Sequence, residues 1–182
     1  MLLSIPHQIF EASNIHLCPF QLDKYGRPIA RLNYKDASVE FQDVTILSPP
    51  VKVIDLNSDC NRLRLDLSDQ RAFQTKLQAL QDYLVNTFYI HQTAILNKIY
   101  LTEMDIKSLF HFLLDNNVLS LYIYPTTTIK LANGSNIKLS ELKPGDYIRF
   151  VIRFQGISQL WRPTTGLTLR FQHTVPSMWR LS

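Results

Sequence analysis

The stretch Tyr147–Gln155 reads YIRFVIRFQ, and its two faces carry different chemistry. Side chains alternate sides along a strand. Ile148, Phe150, Ile152 and Phe154 therefore share one face, and Tyr147, Arg149, Val151, Arg153 and Gln155 share the other. The first face predicts a core. The second combines an aromatic with two guanidinium groups and no acid. Such a face suits a phosphate backbone with stacked bases, and it equally suits the wet side of an antiparallel sheet.

The surroundings of this strand are basic. From Leu121 to Ser182 there are eight Lys and Arg against two acids, Glu141 and Asp146, for a charge of +6. The whole chain of 182 residues carries only +4, so the first 120 residues are mildly acidic. An asymmetry of this kind favours a polyanionic partner for the C-terminal third. Apolar residues make up 46% and charged residues 19%, which supports a sizeable core and excludes global disorder. The length predicts one domain over residues 1–182.

Working outward from the strand, three regions emerge. Residues 1–67 read as mostly β, with strands at Ile15–Phe20, Ile29–Tyr34, Val39–Leu47, Val51–Leu56 and Arg62–Leu67. Ser48-Pro49-Pro50 reads as a chain break. Residues 68–117 read as helical. Ser68 is the expected N-cap of a long helix whose Phe73, Leu77, Leu80, Leu84 and Phe88 repeat every three or four residues. The run His91–Tyr100 is an extension of it or a separate piece. Thr102 and Asp105 resemble a capping box opening a second helix through Leu113. Residues 118–182 return to β, with strands at Leu119–Tyr124, Thr127–Leu131, Asn136–Leu139 and Leu167–Val175. Asn133-Gly134 suggests a type I′ turn, and Gly156–Gly166 suggests a loop carrying Trp161 and Arg162. The expected fold is α+β: an OB-like small antiparallel β-barrel or curled sheet with two helices inserted between its N- and C-terminal strands.

Catalytic constellations are weak. Asp55 and Asp66 lie on adjacent predicted strands, but no lysine completes a nuclease pattern, and half-exposed sheet positions explain both. No histidine pair has metal spacing, and the sequence lacks a Walker loop, GxGxxG and GxSxG. No enzyme activity, cofactor or metal is therefore expected. Cys18 and Cys60 lack the spacing of a zinc site and fit a reduced intracellular protein. The start MLLSIPHQIF reads poorly as a signal peptide, and no apolar run approaches a membrane span.

The basic and aromatic residues of the C-terminal third are the remaining candidates: Tyr122, Tyr124, Lys130, Lys138, Tyr147 and Arg149, together with Arg153, Trp161, Arg162 and Arg170. Trp179 and Arg180 extend the set. Cations neutralise phosphates and release counterions, and aromatic faces stack on bases at about 1–3 kcal/mol each. Taken singly, each also has an ordinary role, as an exposed arginine or a core aromatic.

Four segments resemble a known family in order and spacing: FQDVTILSPPVKVI, LRLDLSDQRAFQTKLQALQDYLV, KLSELKPGDYIRFVIRFQGIS and GLTLRFQHTVPSMW. Together they look like the single-stranded-DNA-binding-type proteins of large nucleocytoplasmic DNA viruses, which have an OB-like fold. The resemblance implies sequence-independent binding of single-stranded DNA, or of RNA, in viral replication or repair, with Arg149, Arg153, Trp161 and Arg170 facing the strand. It also implies homo-oligomers or replication proteins as further partners, and a location in the host cytoplasm or nucleus. A structural scaffold that engages another protein is the alternative.

Overall fold

The strand that opens at Tyr147 is far longer than its alternation predicts. In the computed structural model, which describes residues 3–97, 101–124 and 126–181, it runs unbroken from Tyr147 to Arg162. Residues 163–165 alone make the turn, and a second strand returns over Gly166–Arg180. The expected loop over Gly156–Gly166 is thus a paired hairpin, with Ile157 opposite Phe171 and Trp161 opposite Leu167. Inward-facing Ile157, Leu169 and Phe171 are buried, so the core holds this segment in the strand.

The remaining elements build around that hairpin. The N-terminal region supplies β1 (Ile5–Pro6), β2 (Ile15–Leu22), β3 (Pro28–Lys35), β4 (Glu40–Phe41), β5 (Val44–Leu47), β6 (Val51–Asn57) and β7 (Arg62–Asp66). Helices α1 (Arg71–Ile90), α2 (Gln92–Leu96) and α3 (Glu103–Leu109) follow. Short strands β8 (Phe110–His111), β9 (Leu114–Asp115), β10 (Val118–Tyr122), β11 (Thr128–Lys130) and β12 (Asn136–Ile137) lead to the hairpin strands β13 (Tyr147–Arg162) and β14 (Gly166–Arg180).

The fold is α+β and mostly sheet. The described strands form one open sheet with the path β12-β11-β14-β13-β6-β7-β10-β9, so of the two expected forms, barrel or curled sheet, the closed barrel is excluded. Pairing is mixed rather than purely antiparallel, because β1 joins β5, and β8 and β11 join β14, in parallel.

Along its free edge, β13 meets β6, then β5, then β3. The step from β5 to β6 contains Ser48-Pro49-Pro50, which is a bulge rather than a break. Leu47 lies opposite Val151 and Val51 opposite Ile148, so three intervening residues on one side match two on the other. Neither proline has an N–H to donate. Buried Ser48 fills the gap: its N–H donates to the Phe150 carbonyl and its hydroxyl accepts the Phe150 N–H, both at 2.9 Å. The core face is as predicted, with Ile148, Phe150, Ile152 and Phe154 all buried. Val151, assigned by alternation to the outer face, is buried too, beside a register shift that interrupts the alternation.

The helices depart from the sequence reading at their ends. Ser68 does not cap α1. It is held by Asp66, whose carboxylate accepts both its N–H and its hydroxyl, and α1 starts only after Gln70. The apolar stripe is correct: Phe73, Leu77, Leu80, Leu84 and Phe88 are buried in the shared core. Each such side chain contributes about 1.5–3 kcal/mol by leaving water. Gln81, buried on the same helix, clamps β9 by accepting the Leu114 N–H and donating to the Leu114 carbonyl. His91 breaks α1 from α2, giving three helices where two were expected; residues 98–100 of the predicted run lie outside the described residues. The Thr102/Asp105 capping box is present. Its helix stops at Leu109, because Phe110 turns extended, pairs with Leu169 of β14 and packs on Phe88 with ring centroids 5.2 Å apart.

Three further sequence readings change. Val39–Leu47 splits into β4 and β5. Pairing in β14 continues past Pro176. Between β11 and β12, the Leu131 N–H donates to the Ser135 carbonyl across a three-residue tip in which Gly134 alone takes positive φ, so it is a turn closed by a glycine bulge and not type I′. Cys18 and Cys60 are both free thiols.

Gly156 sits where β3 crosses onto the hairpin, opposite both Arg31 and Gln172. A Cβ there would lie 2.4 Å from the Ala30 carbonyl oxygen, a backbone atom that cannot yield without breaking the pairing. Gly156→Ala should therefore destabilise the protein by about 3 kcal/mol, the upper range for overpacking. Urea unfolding measures this, and a loss below about 0.5 kcal/mol would show that the approach is not constraining.

Candidate nucleic-acid interface

The short strands leave an interval along the outer edge of β14. β8 pairs at Leu169–Arg170 and β11 at Ser177–Trp179, and among the described residues no strand pairs with that edge between them. Side chains bridge the interval instead. His173 reaches from the buried face of β14 to β10, where the Tyr122 N–H donates to its Nε2 at 3.1 Å. The neutral ring consequently carries its proton on Nδ1, which lies 3.4 Å from the Phe171 carbonyl. Thr127 donates its hydroxyl to the Val175 carbonyl at 2.7 Å.

A groove of about 300 Å³ lies over this junction. Its polar lining includes Arg27, Arg62, His111, Tyr122, Tyr124 and Arg170. No carboxylate lines it among the described residues. Arg62 reaches the Ser120 hydroxyl at 3.3 Å and enters no ion pair with a described acid. Arg170 keeps a buried Nε with no hydrogen-bond partner. An unmatched guanidinium N–H removed from water is costly. Arg27 is already engaged by Asp23 at 2.8 Å. Tyr122 and Tyr124 are about half exposed (47% and 48%), which leaves ring surface for stacking.

The predicted residues divide into five groups. Tyr122, Tyr124 and Arg170 meet in the groove. Lys130, Tyr147 and Arg149 lie at the other end of the hairpin, where Arg149 is directly opposite Trp179 and Trp179 directly opposite Lys130. Trp161 and Arg162 are exposed at the hairpin tip, in strand rather than on a closing loop. Lys138 is exposed at the turn after β12, its N–H donating to Glu141. Arg153 sits between these regions, but both its Nε and a terminal nitrogen bind Asp43, so its charge is matched within the protein. Arg180 is likewise matched by Asp146 at 3.1 Å.

Sequence reasoning did not single out Arg62 for this site. Its signal was alternation: Arg62 and Arg64 share the outer face of β7, and β10 aligns Tyr122 opposite Arg62. Arg64 is paired to Asp55 at 2.9 Å, which leaves Arg62 as the open cation. Asp66 is occupied by Ser68 and Asn117, so Asp55 and Asp66 serve separate local contacts. No cluster of metal-ligating side chains occurs among the described residues, and no described helix is long and apolar enough to cross a membrane.

His173 gives the site a pH signature. Burial disfavours the imidazolium and lowers its pKa below the ordinary 6.5, against a weaker upward pull from the Phe171 carbonyl. The unfolded chain thus takes up a proton near pH 6.5 that the folded chain refuses. Stability should be full above pH 6.5 and fall as the pH drops from there toward the folded pKa. His7, whose pKa burial also lowers, contributes with the same sign. His173→Gln, which keeps an acceptor for Tyr122, should flatten the fall in melting temperature between pH 7.5 and 5.5. An unchanged slope would remove His173 as its source.

In comparisons with known proteins, no protein family matches the chain, and no curated protein or solved structure is significantly similar to it.

Proposed function

We propose that this chain binds single-stranded nucleic acid, DNA before RNA, without sequence preference and without catalysing a reaction. The observation that carries this reading is the groove that brings Arg62 and Arg170 beside two half-exposed tyrosines with no carboxylate in its lining among the described residues. The arginines would contact phosphates while Tyr122 and Tyr124 stack on bases. The +6 charge of the C-terminal third supports the same partner. The long hairpin with short strands along both edges supports an OB-like reading of the sheet. The motif order that resembles viral single-stranded-DNA-binding proteins supports a role in replication or repair inside the infected cell. Arg153 is left out of the contact set, because Asp43 already matches its charge.

Fluorescence anisotropy with labelled oligo-dT tests the reading. Binding should be micromolar or tighter at low salt and weaken steeply as salt rises. Arg170→Ala should lessen the log–log salt slope by about 0.7, the value of one single-strand phosphate contact. Tyr122→Ala should cost about 1–3 kcal/mol with little change in that slope. Absence of binding at low salt would end the proposal. A stable oligomer that ignores nucleic acid would favour a scaffold instead.

A further inference from the structure

We infer that the far end of the hairpin holds a second contact for the same strand, so that the protein grips one nucleic acid at two points. The inference rests on the proposed binding function and deepens it.

Its basis is a ladder across three strands. Arg149 of β13, Trp179 of β14 and Lys130 of β11 lie directly opposite one another in register. Directly opposed residues share a face and stand about 5 Å apart at Cβ. The indole is therefore flanked by two cations on one surface. Arg149 and Lys130 are exposed, Trp179 is half-buried, and exposed Tyr147 lies two residues before Arg149 on the same face. Counter-charge is missing here and present nearby. Arg153 and Arg180, on these same two long strands, are matched by Asp43 and Asp146, whereas Arg149 and Lys130 enter no ion pair among the described residues. A cation–aromatic–cation row without an acid is the pattern that holds a phosphate backbone around a stacked base.

The ladder and the groove lie along one strand. Arg170 alternates with buried Leu169 and Phe171, and Trp179 follows buried Met178 beyond the bulge, so both stand on the face of β14 away from the core. The path between them is at most about 30 Å at ~3.3 Å per residue. Gln172, Thr174 and Ser177, which occupy that face in between, are polar and uncharged. A strand of several nucleotides spans such a distance, within the range of about 4–16 nucleotides that single β-rich binding domains occupy. Two linked contacts raise affinity through effective concentration once the strand is long enough to reach both.

The length dependence of oligo-dT binding tests this. For the wild-type protein, a strand of about 20 nucleotides should bind at least tenfold more tightly than one of about 4 nucleotides, beyond the statistical gain from extra registers. In the double variant Arg149→Ala with Lys130→Ala, that ratio should collapse toward the statistical value. The salt slope for the long strand should fall by about 1.4, two single-strand phosphates. Both side chains are exposed, so retention of the fold is expected, and circular dichroism checks it. In a Trp161→Phe background Trp179 is the sole indole, and its emission should change when the long strand binds. A length ratio that survives the double variant, or a complex that leaves Trp179 emission unaltered, overturns the inference while the binding function stands. Failure of wild-type protein to bind any oligonucleotide at low salt removes both. A dimer that the double variant dissociates would instead assign the ladder to a second copy of the chain.

Discussion

Two strands of 16 and 15 residues must have their backbone groups satisfied on both outer edges, and the rest of the structure follows from that demand. Strands of this length are about three times the usual size, and a flat hairpin would leave long exposed edges open to aggregation. The chain meets the demand with short strands laid end to end. β6, β5 and β3 succeed one another along β13, and β8 and β11 divide the edge of β14. The hairpin's own pairing is irregular at two register shifts, and the neighbours of β13 change at the Ser48 bulge and at Gly156.

The helices pack on the buried face of this sheet. The α1 stripe fills the core, Phe73 meets Phe150, and Phe88 meets Phe110. Gln81 ties the helix to β9 through backbone hydrogen bonds, so the register of the short strands is coupled to the packing of α1. Phe110 shows how packing overrides local preference. It continues the apolar periodicity of α3, yet it ends that helix and joins β14, where it is buried against Phe171.

The candidate interface is a by-product of the same economy. Where β8 ends and β11 has not begun, the edge of β14 is spanned by His173 and Thr127, and the groove forms above them. Arginines that the sequence cannot tell apart then meet different fates. Arg27, Arg64, Arg153 and Arg180 have carboxylate partners, while Arg149, Arg62 and Arg170 have none among the described acids. Exposed ion pairs contribute little to stability, but they do remove a cation from the surface available to an anion.

Alternation and helical periodicity are local properties, and they made much of the framework legible. Ile148, Phe150, Ile152 and Phe154 as core, the α1 stripe, the Thr102 capping box and the β–α–β order could all be read from the chain alone. The clustering of positive charge in the last third is equally a property of the sequence. The open sheet, the extension of β13 through Gly156 and the conversion of Phe110 to strand could not be read, because each depends on a partner distant in the chain. The site divides in the same way. Residue types marked Arg149, Arg153 and Arg170 as equivalent, and only tertiary structure separated them. Asp43 reaches Arg153 from 110 residues away, whereas Arg170 is left with a buried, unmatched Nε. Charge is written in the sequence, but neutralisation is a matter of distance, and distance between remote residues exists only once the chain has folded.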